Sequence, residues 1–355
     1  MTNIEIYELA RGVLSSIVND LQGSIYSDLK GTLSIVWSTE PKVNAWAESS
    51  GNIEQPPHHK IGIHYELILQ IYRDIAIYCE YIEYNADKEL FKLWLEDDFQ
   101  PFELLTSHFS KEAYLKNMFI GAITWVFFHE LGHLNQEHGY IRKKFTDITT
   151  TSIHECNINT NEVIKGKAAA ISHVTEIAAD YEATYSTILE LIRHFKSDDL
   201  KAAIYVLFCG ISCVLYRFHG SKSFIIEDTP MGSHPNALVR LEIIAPIVHE
   251  FLSLPVLHEI INIKLTRESL IHLCSTASST AGLLWFRRNS ENGQGKLPDN
   301  YFLMGSMNRL GMKSYIKVII ETWDEIEPTI KKIRRNKGDL SLLNFTKEYR
   351  EILGL

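Results

Sequence analysis

Cysteine is scarce in this 355-residue chain, and the five present (Cys79, Cys156, Cys209, Cys213 and Cys274) include no CxxC pair. That spacing excludes a thiolate zinc cage and a disulfide framework, and it fits a reducing, cytoplasmic setting. Basic surface is also wanting. The net charge is −9, and the one basic run, Lys331 to Lys337, follows Glu321, Asp324, Glu325 and Glu327. Such a run reads as the cationic end of a solvated helix, so nucleic acid is not an expected partner. The opening MTNIEIYELARG has acids where a secretory leader carries a basic region. No apolar run reaches the roughly 20 residues that a membrane span needs. The nearest, residues 202–218, includes Gly210, Ser212 and Arg217 and reads as a buried core helix.

What remains is a globular composition, 45% hydrophobic and 22% charged, with no fixed repeat. Helical spacing marks residues 3–22, followed by β-prone runs GTLSIVW, KVNAWAE and KIGIHYE around a polar loop near 49–59. Helical patterns then dominate: 65–84, a long one from a Ser110 N-cap to a Gly139 C-cap, 169–195, 199–218, 235–253, 266–286 and 313–335. Two tracts read as loops, a polar loop or lid at 142–168 and the stretch 287–300. The fold class expected is α+β, predominantly helical, with a small N-terminal β-sheet. Three regions are expected within it: residues 1–100, a helical core at 101–255, and a helical end at 256–355.

One segment breaks the apolar logic of its helix. GAITWVFFHELGH places His129, Glu130 and His133 where unpaired polar groups cost several kcal/mol. Residues four apart differ by about 40° round a helix, so the two imidazoles project side by side and can meet one ion. Glu130 lies about 100° from His129 and suits a general base rather than a ligand. HExxH on a helix therefore implies Zn2+ with two nitrogen ligands. A third ligand is expected from AAISHVTEIAADYEAT, where Glu176 and Asp180 are four apart: Glu176 on the metal, Asp180 on the outer nitrogen of a ligand histidine. Two histidines, one glutamate and an open position form the catalytic rather than the structural zinc pattern. His173 is a rival ligand or outer partner; His138 and His154 are weaker rivals, expected on the surface.

In order and character, ITWVFFHELGHLNQEH, EIAADYEAT and SHPNALVRL resemble the Lit-type phage-exclusion peptidases, which stand with the gluzincin-like enzymes carrying HExxH then ExxxD. The His-Pro element, His234-Pro235 to Arg240, is similar to one in peptidases of the CAAX prenyl protease type. The likeness covers residues 118–242. It implies a zincin-like metallopeptidase with His129, His133 and Glu176 as ligands, Glu130 as base, and Asp180 behind a ligand. His234 is then a stabiliser of the oxyanion, and Arg240 orders that segment. It further implies a polypeptide substrate, with elongation factor Tu as the associated target, and an activating peptide or phage component. Either VNAWAES or KIGIHYE could take substrate as an added strand. Two other functions compete: a non-catalytic regulator that uses the metal as a staple, and a zinc hydrolase of non-peptide amides. The intact Glu130 speaks against the first; a deep closed pocket, rather than a cleft at a sheet edge, would favour the second.

Overall fold

The computed structural model describes residues 1–84, 87–146, 153–154, 164–262, 265–289, 297 and 300–355. Helix α1 (Asn3–Gly23) opens on a capping box in which Thr2 and Glu5 satisfy each other's backbone N–H groups. The short α2 (Ile25–Asp28) leads into β1 (Thr32–Ser38), β2 (Ala45–Ser50) and β3 (His58–His64), and α3 (Tyr65–Tyr84) follows without a linker. The sheet order is β1-β3-β2-β4, with β1 parallel and β2 antiparallel to the central β3. Among the described residues strand β4 is Ile153–His154, antiparallel to β2. Trp46 of β2 faces Gly62 of β3 in register, and a side-chain carbon at residue 62 would overlap the indole. This close crossing explains a glycine inside a strand.

Helices α4 (Lys88–Trp94) and α5 (Pro101–Thr106) bring the chain to α6 (Lys111–Asn135), capped as expected by Ser110, whose hydroxyl accepts from Ala113 N at 3.3 Å. Next come α7 (His138–Phe145), α8 (Gly166–His194), α9 (Ser197–His219), α10 (Ala237–Leu252), α11 (Pro255–Ile261), α12 (Arg267–Asn289), α13 (Met312–Ile333) and α14 (Lys347–Ile352). From Ala122 to Asn135, α6 is buried on every side, wrapped by α3, α8, α9 and the sheet. A helix that is apolar all round belongs in the centre of a fold. Helix α9 is the one described helix long and apolar enough to cross a membrane, and 89% of that window is buried inside the protein. The α+β class with a small sheet near the N-terminus stands.

The structure departs from the sequence expectation first at the end of α6. The long helix does not run to Gly139: α6 stops at Asn135, Glu137 takes a left-handed conformation (φ 53°), and α7 starts at once. Gly139 therefore lies inside α7, and residues 142–145, expected in a loop, are helical. Most of the remaining loop falls outside the described residues, as do Cys156 and 290–296. Helix α12 continues through Arg287–Asn289, which was expected to be loop. Lys331 and Lys332 end α13 exposed, whereas Arg334 and Arg335 leave the helix and are drawn inward.

Candidate metal centre

The geometry begins with two small residues. Gly132, between the HELGH histidines, lies against α8 so closely that an added side-chain carbon would sit 3.1 Å from Ala179 Cα and carbonyl oxygen. With Ala178, Ala179 and Ala183 all fully buried, the two helices approach to nearly backbone contact. That approach presents the His129/His133 face of α6 to the Glu176/Asp180 face of α8.

His129, His133 and Glu176 form the one group of described residues whose side chains could together hold a metal ion. The two Nε2 atoms are 3.0 Å apart, and each is 3.4 Å from a Glu176 oxygen. Ligand atoms about 2.1 Å from one ion in a tetrahedron stand about 3.4 Å apart, and each of these separations, to one or the other Glu176 oxygen, is near that value. All three side chains are at most 1% exposed.

The outer nitrogens are handled differently on the two rings. His129 Nδ1 lies 2.8 Å from Asp180 Oδ1, as expected for an outer partner. Asp180 is gripped in turn by Arg240, whose Nε and Nη2 donate to its two oxygens at 2.7 Å each. Arg240 is only 2% exposed, so this bidentate pair is buried with its charges matched. Arg240, expected to order the His-Pro segment, is found on the carboxylate of Asp180. His133 Nδ1, by contrast, lies 2.8 Å from His138 Nδ1. His138 is fully buried, correcting its expected surface position: the turn at Glu137 folds α7 back beneath the metal helix.

Sequence reasoning also missed Arg142. Four residues after His138 on α7, it donates to Glu176 Oε1 at 2.6 Å and to Thr175 Oγ1 at 2.9 Å. The only sequence signal was its i, i+4 spacing from His138, visible once a second helix is allowed there. His173 turns from the ligand group to Tyr315, whose hydroxyl is 2.6 Å from its Nδ1. His154 contributes backbone to β4, and its side chain lies outside the described residues. His234 is brought to the rim: Nε2 is 3.7 Å from Glu176 Oε1, and Nδ1 is 2.7 Å from Ser233 Oγ. Glu130 is fully buried beside the group.

Burial pushes the His133 imidazole down to about 4 and that of His138 well below its usual range. Burial pushes the Glu176 carboxyl up. The electrostatic pull of His234 and His133, with hydrogen bonds from His129 and His133, more than reverses it and holds the group well below the carboxylate range. A cavity of about 210 Å³ adjoins His133 and is bounded by Ala47 and Ser49 of β2, Asn52, Tyr140 and Lys143.

Comparison with protein-family models, curated proteins and solved structures returns no match to this chain.

Proposed function

We propose that the chain is a zinc-dependent endopeptidase of the Lit-like, zincin type. The observation that carries the reading is the buried triangle of His129, His133 and Glu176, sized for one divalent ion and backed by Asp180. Two imidazoles and a carboxylate suit zinc, and a three-residue set leaves a position for chemistry. Zinc, when bound, supplies Lewis-acid polarisation of the scissile carbonyl and lowers the pKa of a water toward ~7. Glu130 takes the proton of the attacking water and returns it to the departing amine, so that each cleaved bond consumes one water. His234, on the rim, offers a ring N–H to the oxygen that gains charge. Asp180 and Arg240 keep His129 in the tautomer that leaves Nε2 unprotonated.

The cavity beside His133 is walled by strand β2, and a cleft that runs along a strand supports a polypeptide substrate over a small amide. Of the two candidate strands, β3 is paired with β1 and β2, and β2 is paired with β3 and, at Trp46 and Ala47, with β4; the VNAWAES strand is the one that lines the cavity. The resemblance extends the proposal to a cytoplasmic translation factor such as elongation factor Tu, with a phage component as trigger. Metal analysis of the purified protein, paired with proteomics of new termini in cells expressing it, tests the reading. One zinc per chain is expected, with cleaved termini that vanish in Glu130→Gln while zinc is retained. Unchanged cleavage by that variant would remove Glu130 from the role.

A further inference from the structure

Helices α1, α6, α8 and α9 surround a second cavity, of about 470 Å³, which shares no lining residue with the metal group. Its walls are apolar: Ile17 of α1, Ile120 of α6, Leu191 of α8 with Phe195 just beyond its end, and Val206 and Leu207 of α9. That volume is ordinary for a small-molecule site. Apolar walls alone would specify no occupant, but polar groups are set among them. Thr124 of α6 is 5% exposed and lines the cavity, and among the described residues its hydroxyl has no hydrogen-bond partner. Buried helical threonines commonly donate to the carbonyl one turn back, as Thr187 on the facing wall does to Ala183 at 2.7 Å. Thr124 does not. Asn117 stands two turns earlier on the same face of α6, also lines the cavity, and has no partner for its amide among the described residues. Two turns advance a helix by about 10 Å.

The charges at the mouth are spent on one another. Arg193 Nη1 donates to Glu190 Oε1 at 2.7 Å and its Nη2 lies 3.9 Å from Asp20 Oδ2, while His194 Nε2 stands 3.9 Å from the other Glu190 oxygen. An acidic ligand would meet two carboxylates and a guanidinium already engaged, an arrangement that discriminates against anions. We infer that this cavity binds an uncharged, elongated, mostly apolar small molecule with a hydrogen-bonding oxygen at each end of its body, one for Thr124 and one for Asn117. A hydroxyl and a carboxamide each donate and accept, so both suit an alcohol or carbonyl oxygen. Left without a partner in an apolar space, such groups cost free energy that a matching ligand recovers. The site stands whether or not the chain holds zinc or cleaves peptides.

The test is competition for the cavity, read as displacement of phenylnaphthylamine, a dye that brightens in apolar pockets. The probes are octanediol, with a hydroxyl at each end of its chain, and octanoate, ionised at neutral pH. Octanediol is expected to displace the dye from the full-length protein, and octanoate to do so at least fivefold more weakly. Thr124→Val combined with Asn117→Leu keeps the walls apolar and removes both hydrogen-bonding groups. That variant should bind octanediol at least fivefold more weakly while its affinity for the dye holds or rises. Ala203→Trp fills the cavity and should abolish binding of dye and diol together. Ile17→Trp, on the more open wall of α1, serves if the first filling variant fails to fold, judged by helix content and melting temperature. No binding of the diol by the parent, or octanoate bound as tightly as the diol, would overturn the inference. So would an unchanged diol affinity in the double variant, or binding that survives the filling.

Discussion

A histidine that gives one nitrogen to a metal must place the proton on its other nitrogen. In the proposed centre His129 would turn that proton to a carboxylate and His133 to an imidazole, so the two would differ in donor strength. On that reading Asp180 would raise the basicity of His129, whereas His138, bearing no charge, would orient His133. His138→Phe keeps the volume of the ring and removes the acceptor. It is expected to weaken zinc binding about 10- to 100-fold in chelator competition, with little change in helix content. Arg240→Met strands a buried carboxylate, and a loss on the order of 3–5 kcal/mol in denaturant unfolding should follow. At this scale the sequence was readable where spacing alone decides geometry: His129 with His133, and Glu176 with Asp180, each share a face because four residues are about one turn. His138 and Arg142 were not, because a left-handed turn at Glu137 redirects them, and no periodicity encodes that turn.

Elements explain why these residues meet. The α6–α8 contact depends on Gly132 facing Ala179, where a larger side chain has no room. Gly132→Val is expected to cost about 1–3 kcal/mol of stability through overpacking and to part the two ligand faces. Zinc affinity should therefore fall further than a stability loss alone explains, a difference seen by comparing metal titration with thermal melting. The alanine-rich run on α8 announced close packing in the sequence, and so did the Ser110 cap. The stop of α6 was hidden because glycine is the expected marker of a helix end, and here non-glycine Glu137 holds the left-handed position. Its carboxylate accepts from Arg335 Nε at 2.6 Å, and Arg335 also donates to the carbonyl of Gln55 at 2.9 Å. Those contacts lie 198 and 280 residues apart in the chain, beyond the reach of any local reading. Arg335→Gln should loosen this corner, measured as faster hydrogen exchange at residues 51–57 and at Glu137.

Across the whole molecule, buried histidines set the response to acid. Burial lowers His59 and His173 to about 3, and His133, His219 and His249 to about 4. Their unfolded value is near 6.5, so the unfolded chain binds protons first as pH falls. The stability they contribute is complete above about pH 6.5 and drains away as pH drops toward about 4. Each histidine contributes a slope of about 1.4 kcal/mol per pH unit inside that window. Melting temperatures of the metal-free protein should therefore fall steeply from pH 6.5 to 4 and stay flat from 7 to 8. Zinc should deepen the slope, because protons compete with it for the same rings.

Asn135, the last residue of the HELGH helix, gives its carbonyl to the amide of Arg335 at 2.7 Å. All three side chains proposed to bind the metal have left the ribosome well before that arginine is made. A growing chain can therefore collect its ion early and still lack the fastener that sets the wall of the cleft. Capture of the cofactor and completion of the working surface become separate moments in the life of each molecule, with the second waiting on translation of the distal end.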